Sequence, residues 1–227
     1  MTILALDSSG STAGVAITCL GQLKYESILL SHKEHSIHLL PMIEEALCRS
    51  GTKKDTLSRI ACVIGPGSFT GIRLSVSCAK AMAQTLQIPC VPINALEALV
   101  CVPFHGLICP MIDARAQRVY CSLYSSRTQI RDDDTIRVED MAREIATLKE
   151  NCFFVGSGAV AYRPIIEDLL PGKSFFAPEH MNYLRPSEAA FLAEKKPNSI
   201  VSYEHLNPCY LHAPHYKRES LPYHAVK

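Results

Sequence analysis

The chain has no long apolar run, no close cysteine pair and almost no net charge. Its most apolar stretch, residues 88–104, is broken by Pro89, Pro92, Glu97 and Pro103. Nothing there offers the roughly 20 consecutive apolar residues that a membrane-spanning helix needs. The opening Met1-Thr2-Ile3-Leu4 lacks a basic region and a small-residue cleavage site. It reads as a first strand rather than a signal peptide, and the expected location is the cytoplasm. Lys and Arg number 23 against 22 Asp and Glu, a formal charge of +1, so the basic excess of a protein that grips nucleic acid unaided is missing. The ten cysteines come no closer than the eight-residue step from Cys101 to Cys109. Without a C-x-x-C, neither zinc-finger nor thioredoxin-type chemistry is indicated, and reduced, mostly buried thiols are expected. No G-x-S-x-G, H-E-x-x-H or G-x-x-x-x-G-K-[ST] occurs, which removes the signatures of an α/β-hydrolase, a zinc protease and a P-loop NTPase.

What is present is the make-up of a folded globular protein. Hydrophobic residues are 48% and charged residues 20% of 227, a length that suits one large domain or two modest ones. Residues 2–6 are apolar and β-rich, Asp7-Ser8-Ser9-Gly10 is a turn cluster, and residues 14–20 form a second strand. Gly21-Gln22 then suggests a tight hairpin into a third strand at 23–30, an antiparallel opening. Ser36 can cap a helix with Ile37, Leu40, Ile43 and Leu47 inward, kinked or delayed at Pro41 and ended by Ser50-Gly51. Residues 59–64 read as a buried strand. A glycine-rich loop, Gly65-Pro66-Gly67-Ser68-Phe69-Thr70-Gly71, leads from it into a long helix that stops before Pro89.

That second helix carries Arg73, Ser77, Lys80, Gln84 and Gln87 on one stripe. Ile72, Val76, Ala79, Ala83 and Leu86 form one apolar flank, and Leu74, Cys78, Ala81 and Thr85 the other. So wide an apolar arc predicts burial on more than one side, within the domain or against another chain. A second unit then repeats the opening plan: a strand at 107–112, Asp113-Ala114-Arg115, and a strand at 119–124, with Asp7 and Asp113 106 residues apart. A helix at 139–149 (Met141, Ile145 and Leu148 inward), a strand at 152–155, a Gly156-Ser157-Gly158 turn, a helix near 161–170 closed by Pro171-Gly172, and a short helix from Pro186 to Lys195 complete the pattern. The expected organisation is an N-terminal subdomain at 1–104, a second at 105–211 and a tail at 212–227.

Few residues suggest chemistry by themselves. The 65–71 loop places free N–H groups at a helix start, which suits an anion such as phosphate; a tight strand-to-helix turn uses glycine in the same way. Asp7 with Ser8, Ser9 and Gly10 fits a nucleotide's phosphates and magnesium, or a self-bonded turn. The histidines at 32, 35 and 38 rotate progressively around a helix and do not share one face, and His212 and His215 read as solvent-exposed imidazoles.

Taken together, Ile3-Leu4-Ala5-Leu6-Asp7-Ser8-Ser9, His35-Ser36 with Leu39-Leu40-Pro41-Met42-Ile43, the Gly65–Gly71 loop running through Ile72-Arg73 to Ala79-Lys80-Ala81, and Met111-Ile112-Asp113-Ala114-Arg115 with Val119-Tyr120 resemble the TsaB (YeaZ) family. The resemblance covers residues 1–211. It implies an α/β fold of the actin-like ATPase (ribonuclease H-like) type, with two related subdomains of mixed sheet and flanking helices. It also implies a role as the non-catalytic partner of TsaD, the catalytic subunit for N6-threonylcarbamoyladenosine (t6A) synthesis at adenosine 37 of ANN-decoding tRNAs, alongside TsaE and TsaC. TsaD carries an Asn-His-x-Glu-Gly-His motif whose histidines hold a metal. The comparable run here is Asn94-Ala95-Leu96-Glu97-Ala98-Leu99, and neither Ala95 nor Leu99 can donate a lone pair.

The resemblance therefore implies no catalytic residue, no metal and no required cofactor, and leaves weak nucleotide binding open at a vestigial anion site of Asp7, Ser8, Gly65, Gly67 and Ser68. The expected partner interface is His35, Leu39, Met42, Ile43, Leu74, Cys78, Ala81, Met82 and Thr85. It would serve a TsaD heterodimer, or a homodimer when TsaD is absent, with tRNA reached only through the complex. The family's Tyr-Leu-Arg near the end is Tyr210-Leu211-His212 here. The alternative reading is an independent ATP-binding enzyme of the actin-like and sugar-kinase superfamily, using Asp7 and the two glycine turns. Proteolysis finds no support in these residues.

Overall fold

In a computed structural model the described residues are 1–30, 34–100 and 104–211. The expectations for His32, Cys101, His212, His215 and the 212–227 tail lie outside them. The chain opens with β1 (Thr2–Asp7), β2 (Thr12–Cys19) and β3 (Gln22–Leu30). β1 pairs antiparallel with β2 and parallel with β4 (Arg59–Gly65). A central strand covered on both faces explains why β1 is apolar throughout rather than alternating. The β2–β3 connection is Leu20-Gly21, with φ of 50° and 75°, the left-handed pair that a two-residue hairpin loop requires.

Helix α1 (His35–Ser50) ends at Gly51, whose φ of 66° lets its N–H reach back to the carbonyls of Leu47 and Cys48. Its start and its phase differ from expectation. Glu34 precedes the helix and Ser36 lies inside it, and the buried face is Leu39, Met42, Ile43, Ala46 and Leu47. Ile37 and Leu40 point outward, because contact with β2 fixes which stripe of the helix faces the sheet. α2 (Phe69–Leu86) follows β4, then β5 (Cys90–Asn94) and α3 (Ala95–Leu99), a helix that the sequence pattern did not announce. Asn94 starts α3 by accepting the N–H groups of Leu96 and Glu97 at 2.7 and 3.2 Å.

The second half contains β6 (Leu107–Asp113), β7 (Arg118–Ser125), β8 (Thr128–Arg137), α4 (Val138–Ala146), β9 (Cys152–Val155), α5 (Ser157–Ala161), α6 (Arg163–Leu169), β10 (Ser174–Phe176) and α7 (Pro186–Lys195). The helix expected near 161–170 is α6, and the segment read as a Gly156-Ser157-Gly158 turn is already helical from Ser157, in α5. The first sheet is ordered β3-β2-β1-β4-β5 and the second β8-β7-β6-β9-β10. The two orders are the same topology, so β6 corresponds to β1, β9 to β4, and Asp113 to Asp7 as the last residue of its strand. The repeat read in the sequence is therefore a structural one, and the expected α/β class with two related subdomains of mixed sheet is the fold observed.

Three apolar cores hold the layers. One lies between the first sheet and α1 and α2, another between the second sheet and α4, α5 and α6, and the third between the sheets around α3 and α7. α7 is decisive for the domain plan. Although it follows the second sheet in sequence, Ala189, Ala190 and Ala193 pack with Ile3, Ala5 and Ala16 of the first. Downstream, Val201 bridges to Cys90 and Leu206 joins the core under α2. The division at 104/105 separates the two sheets, but residues 186–211 return to the first sheet rather than remaining with the second unit. No described helix is long and apolar enough to cross a membrane, and the nine described cysteines are free.

Candidate partner interface and interlobe cleft

The glycine loop and the Asp7 turn are pressed together. Ser68 donates its N–H to the Ser9 carbonyl at 2.7 Å, and the Ser8 hydroxyl donates to the Gly71 carbonyl at 2.7 Å. A Cβ at Gly67 or Gly71 would overlap the backbone oxygen of Ser9 or Ser8, and one at Gly65 (φ 115°) would lie 2.7 Å from the Cys209 carbonyl. These glycines thus allow close approach of the chain to itself. Ser68 also caps α2 by accepting the Gly71 N–H at 3.3 Å. Asp7, Ser8, Gly67 and Ser68 lie at this junction, with Gly65 at the end of β4, and the β1–β2 turn is bonded to the N–H of Ser68 that an anion would use.

Asp7 is fully buried. Its Oδ1 accepts the N–H and hydroxyl of Ser9 at 2.9 and 2.6 Å, while Oδ2 has no partner. Burial pushes this carboxyl up to about 6, and the two Ser9 bonds oppose that rise. In the second half, Asp113 is exposed and its Oδ1 accepts the Arg115 N–H and the Tyr162 hydroxyl, both at 2.8 Å. The two equivalent aspartates therefore occupy different environments.

On the second lobe, reaching Ser11 of the first, lies a cavity of about 440 Å³ walled by Ala159, Val160 and Phe176 and edged by Ser157 and Arg163. A smaller cavity of about 40 Å³ beside it is lined by Ser9, Ser11, Thr12 and Asn182. Ala95 and Leu99, the residues that the sequence places against a metal-binding motif, are buried hydrocarbon side chains in the middle layer. They offer no lone pair, so these residues do not fit a metal. Among the described residues, no group of three or more His, Cys, Asp or Glu is arranged to hold one.

The expected interface residues divide into two sets. Leu39, Met42 and Ile43 are core residues of α1, 0%, 8% and 3% exposed, so they have almost no surface to present to a partner; Ile37 and Leu40 are the apolar side chains that α1 turns outward. His35 is half-buried at the first residue of α1. On α2, Ala81 and Thr85 are exposed, and Leu74, Cys78 and Met82 are half-buried. The flank on Ile72, Val76, Ala79 and Ala83 faces the sheet, leaving the flank on Leu74, Cys78, Ala81 and Thr85 to form an outward stripe of small and apolar side chains.

Two features escaped the sequence. At the start of α2, Arg73 lies 3.7 Å above the Phe69 ring and donates from Nε to the Tyr210 hydroxyl at 2.9 Å, while the Phe69 and Tyr210 rings are 5.1 Å apart. This cluster, with Cys209 donating its N–H to Ile64 at 2.8 Å, fastens the end of the described chain to the root of α2. Across the lobes, the Asn94 amide donates to Asp133 of β8, whose other oxygen accepts from Gln129 at 3.0 Å. Both join residues far apart in sequence, and no local pattern encodes them.

A family model described as "TsaD: tRNA N6-adenosine threonylcarbamoyltransferase" matches residues 29–220. The chain is 34% identical over 202 residues to the tRNA threonylcarbamoyladenosine biosynthesis protein TsaB of Bacillus subtilis, covering 86% of this chain and 88% of that protein. It is 30% identical over 226 residues to the protein of the same description from Haemophilus influenzae, covering 93% of each. Among solved structures, YeaZ from Pseudomonas aeruginosa superposes with a TM-score of 0.77 at 23% identity, covering 92% of this chain and 99% of that one. At that identity, the structural likeness speaks to the fold.

Proposed function

Because this chain belongs to the TsaB family of tRNA threonylcarbamoyladenosine biosynthesis proteins, we propose that it is the non-catalytic partner subunit required for t6A formation at adenosine 37 of ANN-decoding tRNAs. In this reading it dimerises with a TsaD-type catalytic subunit and holds it in a competent conformation, with TsaE joining the assembly. tRNA is contacted through the complex, consistent with a net charge of only +1. The site of action is the cytoplasm. Without the catalytic subunit, the same face pairs with a second copy of the chain.

The observation that carries the proposal is the outward flank of α2, where Leu74, Cys78, Ala81 and Thr85 remain on the surface after the opposite flank has packed on the sheet. Ile37 and Leu40 of α1 add apolar surface, at 63% and 54% exposure. Exposed Ala81 and Thr85 beside half-buried Leu74 and Cys78 on α2, and exposed Ile37 and Leu40 on α1, support contact with another macromolecule. Ala95 and Leu99 support the non-catalytic assignment because hydrocarbon side chains cannot hold a catalytic metal. The Ser8-Ser9 turn against the glycine loop supports a role that requires no cofactor.

The test is co-purification with the TsaD-type subunit. Ala81→Glu and Cys78→Arg each place a charge in the contact and are expected to abolish the heterodimer while the isolated chain stays folded. Survival of the heterodimer in both variants would overturn the interface. Complementation of a TsaB-depleted bacterium, read by mass spectrometry of t6A, tests the function itself. The cavity of about 440 Å³ is large enough for a small organic ligand and favours one alternative, an independent ATP-binding enzyme. Titration calorimetry with Mg-ATP separates the two: micromolar binding with turnover supports the enzyme, and no binding supports the partner subunit.

A further inference from the structure

The turn that follows β1 has two faces. On one side Ser9, Gly10, Ser11 and Thr12 line the small interlobe cavity. On the other, Ser8 and Ser9 press against the first turn of α2, where Ser9 supplies the acceptor for the Ser68 N–H and Ser8 bonds Gly71. The turn is held from behind by Asp7 alone among carboxylates, through the bonds from its Oδ1 to the Ser9 N–H and hydroxyl. The second carboxylate oxygen, buried and unpartnered, has no structural bond of its own to account for it. We propose that Asp7 is a positioning residue for the partner face: through Ser9 its carboxylate sets the first turn of α2 and links the interlobe cleft to the flank on which the partner docks.

The physical basis is the strength of the bonds an ionised carboxylate accepts, roughly twice that of neutral ones. Ionised Asp7 fixes Ser9, Ser9 fixes the Ser68 N–H, and Ser68 caps the helix that carries Leu74, Cys78 and Ala81. Protonation weakens the first link and loosens the chain of bonds behind it. Few other groups can produce the same effect. β4 faces Asp7 with the Cys62 thiol, which burial holds protonated. β2 pairs Gly14 with Asp7 and has no ionisable side chain at that end. α2 turns Ser75 inward, while its Arg73 lies outward on Phe69. On α7, Glu188 is set among Arg127, Arg185 and Lys195 rather than against Asp7. The titration falls in an accessible range, because burial raises the Asp7 carboxyl to about 6.

The inference rests on the partner-subunit reading, and the experiment separates the two. The affinity of the full chain for the TsaD-type subunit is measured across pH for the wild type, Asp7→Asn and Ser9→Ala. Wild-type affinity is expected to weaken about tenfold from about pH 7.5 to about pH 5, the equivalent of one pKa unit between free and bound chain. Asp7→Asn should bind at the weaker level throughout, without that slope. The ratio between the two chains cancels any titration of the partner. Ser9→Ala removes a bond that lowers the Asp7 value, so its midpoint should move to higher pH. Identical slopes for the wild type and Asp7→Asn would overturn the positioning role. Hydrogen exchange of the free chain over residues 66–70 gives a readout that needs no partner. Protection there should fall at the lower pH in the wild type but not in Asp7→Asn; equal protection in both chains would overturn the inference even if no partner binds, a result that by itself counts against the partner reading.

Discussion

Glu26, on the outer strand of the first sheet, accepts the backbone N–H of Ser187 at 3.0 Å and so caps a helix 161 residues further along the chain. No side chain at the start of α7 supplies that bond. Glu26 also pairs with Arg185, and the Pro186 ring packs where a side chain at Gly14 would be, 3.0 Å from its Cβ position. The middle layer is therefore tied to the first sheet by charge, cap and shape at one point.

Glu26→Ala is expected to destabilise the chain by about 1–2 kcal/mol at neutral pH, the value of a charge-assisted cap discounted for the exposed Arg185. Burial alone would raise the Glu26 carboxyl, but Arg185 and Ser187 outweigh it and hold the group below its ordinary 4.5. A depressed carboxylate contributes above its unfolded value and loses that contribution as pH falls through the folded one. Urea unfolding of both chains should therefore show a difference that is full above 4.5 and shrinks below it.

Asp7 has the opposite sign. Its folded value of about 6 lies above the ordinary 3.8, so the native state binds the proton more tightly and stability declines as pH rises from 3.8 to about 6. Asp7→Asn should raise stability at about pH 7.5 by up to about 3 kcal/mol and change it little below about pH 4. A lower melting temperature for the variant at neutral pH would contradict the buried, unpartnered carboxylate.

Two glycines should behave very differently. Gly71→Ala drives a methyl group into the Ser8 backbone, which has no flexible end to move aside, whereas Gly10 has nothing within 4 Å of its Cβ position. The expected cost is more than about 3 kcal/mol for the first and within about 0.5 kcal/mol for the second, measured by denaturant melts.

α1 and α2 offer a contrast between core and surface. Leu39→Ala should cost about 2–5 kcal/mol, because Leu39 is 0% exposed and leaves a cavity. Ala81→Glu, on the outward flank, should leave thermal stability within about 0.5 kcal/mol while removing partner binding. Equal melting temperatures for Leu39→Ala and the wild type would mean that α1 is packed by a different stripe.

Much of this architecture is legible along the chain because its signals are local. The apolar β1, the hairpin after β2 (read at Gly21-Gln22 and formed at Leu20-Gly21) and the Gly51 stop each depend on neighbours within a few residues. The repeat from Asp7 to Asp113 is visible because both halves use the same strand, aspartate, turn and strand order. β8 was not legible: Arg131-Asp132-Asp133-Asp134 has the composition of a loop and becomes a strand only by pairing with β7. The phase of α1 is legible in part: Ile43 and Leu47 are buried as the spacing predicts, whereas Ile37 and Leu40 satisfy the same three- and four-residue steps yet point outward.

By itself the sequence determined the strand and helix types outside β8, β10, α3 and α5, the twofold plan, the absence of lone-pair donors at Ala95 and Leu99, and the family. Tertiary structure alone decided which flank of α2 faces outward, that α7 belongs to the first sheet, and that Asp7 is buried while its counterpart Asp113 is exposed. Period and composition record whether a residue can be buried or can turn the chain. Which surface buries it depends on contacts tens to hundreds of residues away, such as Glu26 with Ser187, and those exist only once the sheets have assembled.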